Sequence, residues 1–572
     1  LAFLEDLGYF HPLQIILNTT TIVKSLRKTL LTAGLLISAT ASQAQLLNLP
    51  AEIHGNFQFD AQYYIKDSLI GALDVPEKVL SNGFGNLNFT KGKFNAGIRY
   101  ESYLNPMLGF DTRYKGSGIT YRFASYVNDE LEITIGNFYD QFGSGLIFRS
   151  YEERGLGIDN AMDGIRIKYN PWKGIYVKGF IGEQRSYFSK GPGIVRGFDG
   201  EVSLMDAITS LNNSKTRITL GGSVVSKYQK DDNDLYKLPE NVLAFASRLN
   251  ITSGNYSFYG EYAYKYNDPS LVNATAISPF GIYKEGQALY MNGAYTKKGI
   301  GISLSAKYID NMNFRSDRNA TINDLNLSYL PALTKQQTYR LATIYPYATQ
   351  PNGEVGFQGE LFYNFKQGSA LGGKYGTYVA LNYSRANGLD TTSLNNELGY
   401  ESEFFVPGDS KYFEEVNVEI QKKVNKDFKL IANYIYTLYD KGVIQGLGDA
   451  YGTVYAHIGI LEGQYKINKS HSLRVELQHL MTDQDKKNWA MALVEYSISP
   501  NWFFAAFDEY NYGNDDKDLR IHYPNVSMGF TKGANRITMG YGKQREGLLC
   551  VGGVCRNVPA SNGFSLSVTS SF

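Results

Sequence analysis

No run of about 20 apolar residues occurs in this 572-residue chain, and mean hydropathy is negative, so a helical membrane protein is excluded. Charge of one sign is missing as well: Lys+Arg number 56 and Asp+Glu 55, without a basic cluster. A nucleic-acid partner is therefore not expected. Proline (16) and tryptophan (3) are scarce, while Tyr (45), Phe (32) and Gly (58) abound. So many aromatics at a net charge of +1 exclude disorder. A large all-β protein remains, either soluble repeats or a membrane barrel.

The usual enzyme signatures are also absent. There is no P-loop, no dinucleotide fingerprint and no His-Glu-x-x-His, so neither a cofactor nor a metal is expected, and no catalytic residue. After residue 44 the histidines are His54, His457, His471, His479 and His522. A lipid-facing outer-membrane enzyme would need a His and a Ser at the membrane boundary. His479 shares the parity of Leu473–Leu477 and is the one formal candidate, although an interfacial ring is the plainer reading. The acidic runs 231–234, 483–485 and 515–518 match no dedicated calcium loop and read as solvated loops.

Residues 24–44 carry a basic front (Lys24, Arg27, Lys28), an apolar stretch over 29–39, and small Ser42 and Ala44 before Gln45. That pattern is a secretory signal peptide. Without a Cys after the cleavage site, lipid attachment is not expected. Residues 1–23 contain no Met and are read as a non-native upstream extension, and 45–51 as a short periplasmic N-terminus.

From there a period of two takes over. Ile53, Gly55, Phe57, Phe59, Ala61 and Tyr63 alternate with His54, Asn56, Gln58, Asp60, Gln62 and Tyr64. Similar alternation runs through 94–101, 300–307 and 473–478, as in strands with one wet and one greasy face. Short turns such as 128–130, 425–427, 468–470 and 499–501 take turns with longer polar loops, the habit of an outer-membrane barrel. The last strand ends on Phe572, which resembles the terminal aromatic that marks outer-membrane barrels for the assembly machinery.

The fold class expected is all-β: one transmembrane antiparallel barrel over 52–572, of about 26 strands within a range of about 22–26. Both ends in the periplasm require an even number. Evenness is reached by reading 322–330 as a strand running down and 338–345 as one running up. The first strand starts too soon after the signal for a plug domain to precede it.

Segment 140–163 holds Arg149, Glu152, Glu153, Arg154 and Asp159 among four glycines. Such a loop either folds into the lumen, pairing charges across the passage, or lies on the surface held by ordinary ion pairs. Parity turns Arg99, Glu101, Arg166, Lys307, Glu415, Glu419, Arg474 and Glu476 inward as wall partners. Loops 309–321 and 386–410 would pack above. Cys550 and Cys555, in Cys-Val-Gly-Gly-Val-Cys, favour a disulfide pinning the last long loop over a redox site.

The runs Gln141-Phe142-Gly143-Ser144-Gly145-Leu146, Tyr151-Glu152-Glu153-Arg154, Tyr345-Pro346-Tyr347-Ala348-Thr349-Gln350 and Leu330-Pro331-Ala332-Leu333-Thr334 resemble a Bacteroidota outer-membrane β-barrel family of unknown function. The resemblance implies a location in the envelope and no catalytic residue. The function expected is a porin-like channel, passive or gated by a partner. The alternative is a barrel scaffold for secretion, assembly or lipid transport, with a separate plug or accessory envelope protein in its lumen. Outer-membrane lipid and the barrel-assembly machinery are the other expected partners.

Overall fold

A computed structural model describes residues 51–572 except Ile277 and Phe280. Residues 1–50, with the proposed upstream extension and signal peptide, lie outside the described residues. Chain contacts separate residues 1–53 and 89–93 from residues 54–88 and 94–572. In the first unit the described residues are the start of β1, and the end of β2 with its turn at Gly92 (φ 56°).

The barrel strands are, in chain order, β1 (Glu52–Tyr64), β2 (Val79–Lys91), β3 (Phe94–Asn105), β4 (Gly116–Val127), β5 (Leu131–Phe138) and β6 (Met162–Trp172). Next come β7 (Ile175–Ser186), β8 (Ser189–Ser203), β9 (Thr216–Tyr228), β10 (Asn241–Ser253), β11 (Tyr256–Lys265) and β12 (Gly286–Lys297). They are followed by β13 (Ile300–Asp310), β14 (Gly353–Phe365), β15 (Thr377–Ser393), β16 (Tyr400–Lys423), β17 (Phe428–Asp440) and β18 (Thr453–Lys466). The last six are β19 (His471–Met481), β20 (Trp489–Ile498), β21 (Trp502–Tyr510), β22 (His522–Lys532), β23 (Asn535–Gln544) and β24 (Ser561–Ser571).

Each strand pairs with its sequence neighbours, and β24 returns to β1 from Asn56↔Ser571 to Tyr64↔Gly563, closing a 24-stranded antiparallel barrel. Closure leaves no unpaired edge, the condition for a sheet to stand in lipid. Alternation sorts the side chains. In β3, Arg99, Glu101 and Tyr103 are buried, whereas Ile98, Tyr100 and Leu104 are exposed on the outside. Outward Ile135, Leu220, Leu304, Leu461 and Val526 continue that apolar exterior. The turns at 128–130, 425–427, 468–470 and 499–501 all join consecutive strands at the end where β24 finishes. The longer connections gather at the opposite end, called here the loop end.

The strand number falls within the expected range, but two segments do not span as expected. Residues 322–330 and 338–345 are not barrel strands: the whole of 311–352, between β13 and β14, lies off the barrel sheet. Its one bridge, Arg315↔Asn326, is internal. The region 386–410 is likewise no loop. It forms the far ends of β15 and β16, a long bulged hairpin joined through 394–399.

Candidate functional site

A water-filled channel has a polar inner wall, because inward side chains face water. Here the loop-end half of the inner wall is apolar in two places. One patch, from β6 to β13, includes Met162, Phe180, Val195, Val225, Val242 and Ile309. The other, on β17 to β20, includes Ile435, Ile458, Leu480, Trp489 and Met491. Both are dry because the chain's own connections cover them.

Segment 139–161 brings Phe142, Leu146, Ile147 and Phe148, all fully buried, onto the first patch. Segment 311–352 adds Met312, Phe314, Leu327 and Leu330 to the same cluster. It then crosses the lumen and sets Leu341, Ala342, Tyr345 and Tyr347 into the second patch. Backbone bonds stitch the two insertions together: Tyr329 N donates to Gly145 O (2.9 Å) and Arg149 N to Leu327 O (2.8 Å). Asn160 donates to Asn326 O at 3.1 Å, and the Arg149 guanidinium lies 3.9 Å from the Tyr329 ring centre.

Polar contacts fix the crossing. Lys307 Nζ donates to Pro331 O at 2.6 Å. Lys335 Nζ donates to Asn417 Oδ1 (3.0 Å) and Glu419 (3.1 Å), and Gln337 to Glu415 (2.9 Å). Leu341 N donates to Gln478 Oε1 at 2.8 Å, and Arg340 pairs with the buried Glu509. The insertions thus hold the lumen through two apolar clusters and a charged seam.

The candidates from the sequence fall into two separate groups. In the first, Arg99 meets Glu101 (2.8 Å), Glu152 (3.0 Å) and Asp159, all largely buried. Arg154 pairs with Glu152 (2.6 Å), donates to Gln58 (2.9 Å) and covers the Phe84 ring. Glu153 accepts from Gly155 N at 3.3 Å, while Arg149 stacks between Tyr151 and Tyr329. The second group lies under the crossing: Glu415, Glu419, and Arg474 with Glu462 (3.1 Å) and Glu476.

Sequence reasoning missed Arg185, which binds Glu101 (2.6 Å) and Asp159 (2.5 Å) and completes the first network. It also missed Lys335, Gln337 and Arg340, because their segment was read as a barrel turn and strand. Cys550 and Cys555 are bonded within a small hairpin over 547–558. The Phe572 backbone pairs with Gly55, and its ring lies over that glycine. His479 stacks on Tyr512 and bonds its hydroxyl at 2.6 Å.

Above the insertions a cavity of about 750 Å³ opens at the loop end, lined by Arg113, Tyr187, Asp324, Tyr345, Lys486 and Cys555 among others. Arg113 binds Asp111 (2.6 Å) and Asp324 (2.7 Å), and Lys441 binds Asp485 (2.7 Å). The hydrogen bond from Arg113 holds the Asp111 carboxyl below its ordinary range. Burial, with Asp485 beside it, pushes the Tyr345 hydroxyl up, so it stays a neutral donor. Lys486 likewise binds Glu546 (2.9 Å), so several of the charges lining this vestibule are paired. Asp231 and Asp485, from the acidic runs, spend their oxygens on loop amides, Tyr345 and Lys441. Among the described residues no group of three or more His, Cys, Asp or Glu could hold a metal ion.

The chain is similar to the P pilus usher (PapC) translocation pore at 8% identity, over 91% of this chain and 99% of that one, with TM-score 0.44. It is similar to a mutant of the ferric enterobactin receptor PfeA from Pseudomonas aeruginosa, in complex with enterobactin, at 12% identity over 92% and 82%, TM-score 0.41. It is also similar to the copper transporter OprC, at 8% identity over 92% and 81%, TM-score 0.38. No curated protein matches the chain in sequence. One family model matches residues 26–572, and the chain belongs to that family, a family of unknown function (DUF6029).

Proposed function

We propose that this protein is an outer-membrane channel that its own chain holds shut, opening when 139–161 and 311–352 are displaced. The observation that carries the reading is the passage of 311–352 across the lumen, from the cluster at Phe314 to the cluster at Leu341. A barrel this wide cannot be filled by its strand side chains alone, and the insertions supply the missing contents. The apolar, aromatic exterior and the closed sheet suit lipid, and residues 24–44 serve as the export signal. A permanently open porin does not fit dry inner walls, so the passage is gated, by a solute in the vestibule or by an envelope partner.

Planar-bilayer recording tests this. The wild-type barrel stays closed for most of the record, and replacing 331–345 by a Gly-Ser linker gives steady conductance. Steady wild-type current, or silence from a linker variant that still inserts, overturns the reading.

A further inference from the structure

The hairpin over 547–558, in the connection between β23 and β24, does more than close a loop. Its strands pair from Gly547↔Val558 to Val551↔Val554, with Cys550 opposite Cys555. Its carbonyl oxygens point at the inserted segment. Cys550 O accepts from Gln336 (3.0 Å), and Cys555 O accepts from Asn323 (2.7 Å). Gly552 O accepts from Ala332 N (3.4 Å) and the Tyr329 hydroxyl (3.2 Å), and Gly553 O from Thr349 N (3.1 Å). On its return limb, Arg556 donates to Gly155 O (2.8 Å) in the other insertion. One small element therefore grips both insertions, and the long one at points on either side of its crossing.

The tip leaves no slack. A Cβ on Gly552 would stand 2.1 Å from the Tyr329 hydroxyl oxygen, and one on Gly553 2.5 Å from Thr349 Oγ1. Both residues also take positive φ, 58° and 87°, which glycine adopts without strain. A hairpin this short, with two glycines at its tip, is marginal by itself. The Cys550–Cys555 bond is what fixes the spacing of its acceptors.

We propose that this hairpin is the latch of the closed channel, and that breaking its disulfide releases the inserted segments. The proposal rests on the channel reading for its consequence, but not for its geometry. Reduction by a thiol reagent breaks the S–S bond. Each cysteine sulfur gains one electron and one proton, and two reagent thiols are oxidised to a disulfide in exchange. Cys555 is half-buried and lines the vestibule while Cys550 is buried, so a reagent meets the pair on its Cys555 side, from the loop end. The chain holds just two cysteines, so any effect of reductant traces to this pair.

Two readouts separate the latch from the channel. Trypsin reports seating, because Arg315 and Arg318 are buried while the segment is in place. Bilayer current reports opening. Dithiothreitol on the wild type, the double variant Cys550→Ser with Cys555→Ser, and Gly552→Ala with the bond intact should each speed cleavage at Arg315 and Arg318. The gain expected is about tenfold, the effect of losing one or two net hydrogen bonds. The double variant should no longer respond to dithiothreitol. Cleavage unchanged by reductant and by both variants, in barrels that remain heat-modifiable on gels, overturns the latch. Faster cleavage without current supports the latch and overturns the channel reading instead.

Discussion

Lys307 is a fully buried cation with two partners, Glu354 at 2.6 Å and Pro331 O at 2.6 Å. Glu354 in turn accepts from the Tyr347 hydroxyl (2.5 Å) and Gln350 N (2.8 Å). This wall carboxylate thus ties one limb of the insertion while its lysine ties the crossing. Removing one member of a buried pair strands the other in a dry site. Lys307→Met should therefore cost about 3–5 kcal/mol, read as a lower temperature for loss of the compact, unboiled gel band. Adding Glu354→Gln removes the stranded charge and keeps an acceptor for Tyr347 and Gln350. The double variant should recover part of the loss; a double variant worse than Lys307→Met would contradict the pairing.

The insertion has two limbs, and they should come loose separately. Gly193 in β8 faces the first limb so closely that a Cβ there would lie 1.9 Å from Ser316 O. Gly193→Val forces the backbone at 316 away from the wall, while the limb around Leu341 sits against a different patch. Hydrogen exchange should accelerate over 312–330 by about tenfold or more and stay near wild type over 338–348. Acceleration along both limbs alike would mean that they open as one unit. The strands and short turns were legible in the sequence because period two and turn residues are local signals. The insertion was not, because 322–330 also places Leu325, Leu327 and Tyr329 in a strand-like rhythm. Those side chains are apolar because two walls enclose their segment, not because neighbours pair with it. The positive φ of Ile322 (54°) and Leu325 (52°) breaks any extended run, and no local rule anticipates it for such residues. A usable signal did exist on the wall. In β17 both the outward Leu430 and Tyr434 and the inward Ile431 and Ile435 are apolar, as in a strand covered on both faces. For the charge network, parity reached Arg99 and Glu101. It failed for Arg185 because the β7–β8 register shifts between Glu183 and Arg185, turning an extra side chain inward.

At the scale of the whole barrel, the proposed channel assigns closing and selecting to different residues. The dry clusters at the loop end close the lumen but carry no charge toward a passing ion. Nearer the end where β24 finishes, the inner wall is polar, with Glu419, Glu462, Glu476 and Glu495 facing Arg474, Lys423 and Lys429 along β16 to β20. Lys335, from the insertion, is the cation that balances Glu419 (3.1 Å) in the closed state. When the crossing leaves, Lys335 leaves with it and the acidic side of this wall is uncovered. The barrel opened by the 331–345 linker should therefore pass K⁺ over Cl⁻ by a few-fold, because a ring of mixed sign with a carboxylate surplus favours cations only mildly. Salt should erode that preference, since wall charges facing water are screened over about 8–10 Å at physiological ionic strength. Reversal potentials under a KCl gradient measure it. Adding Glu419→Gln to the linker variant should move the reversal potential toward zero, and a pore that favoured Cl⁻ would show that the acidic wall does not line the open path.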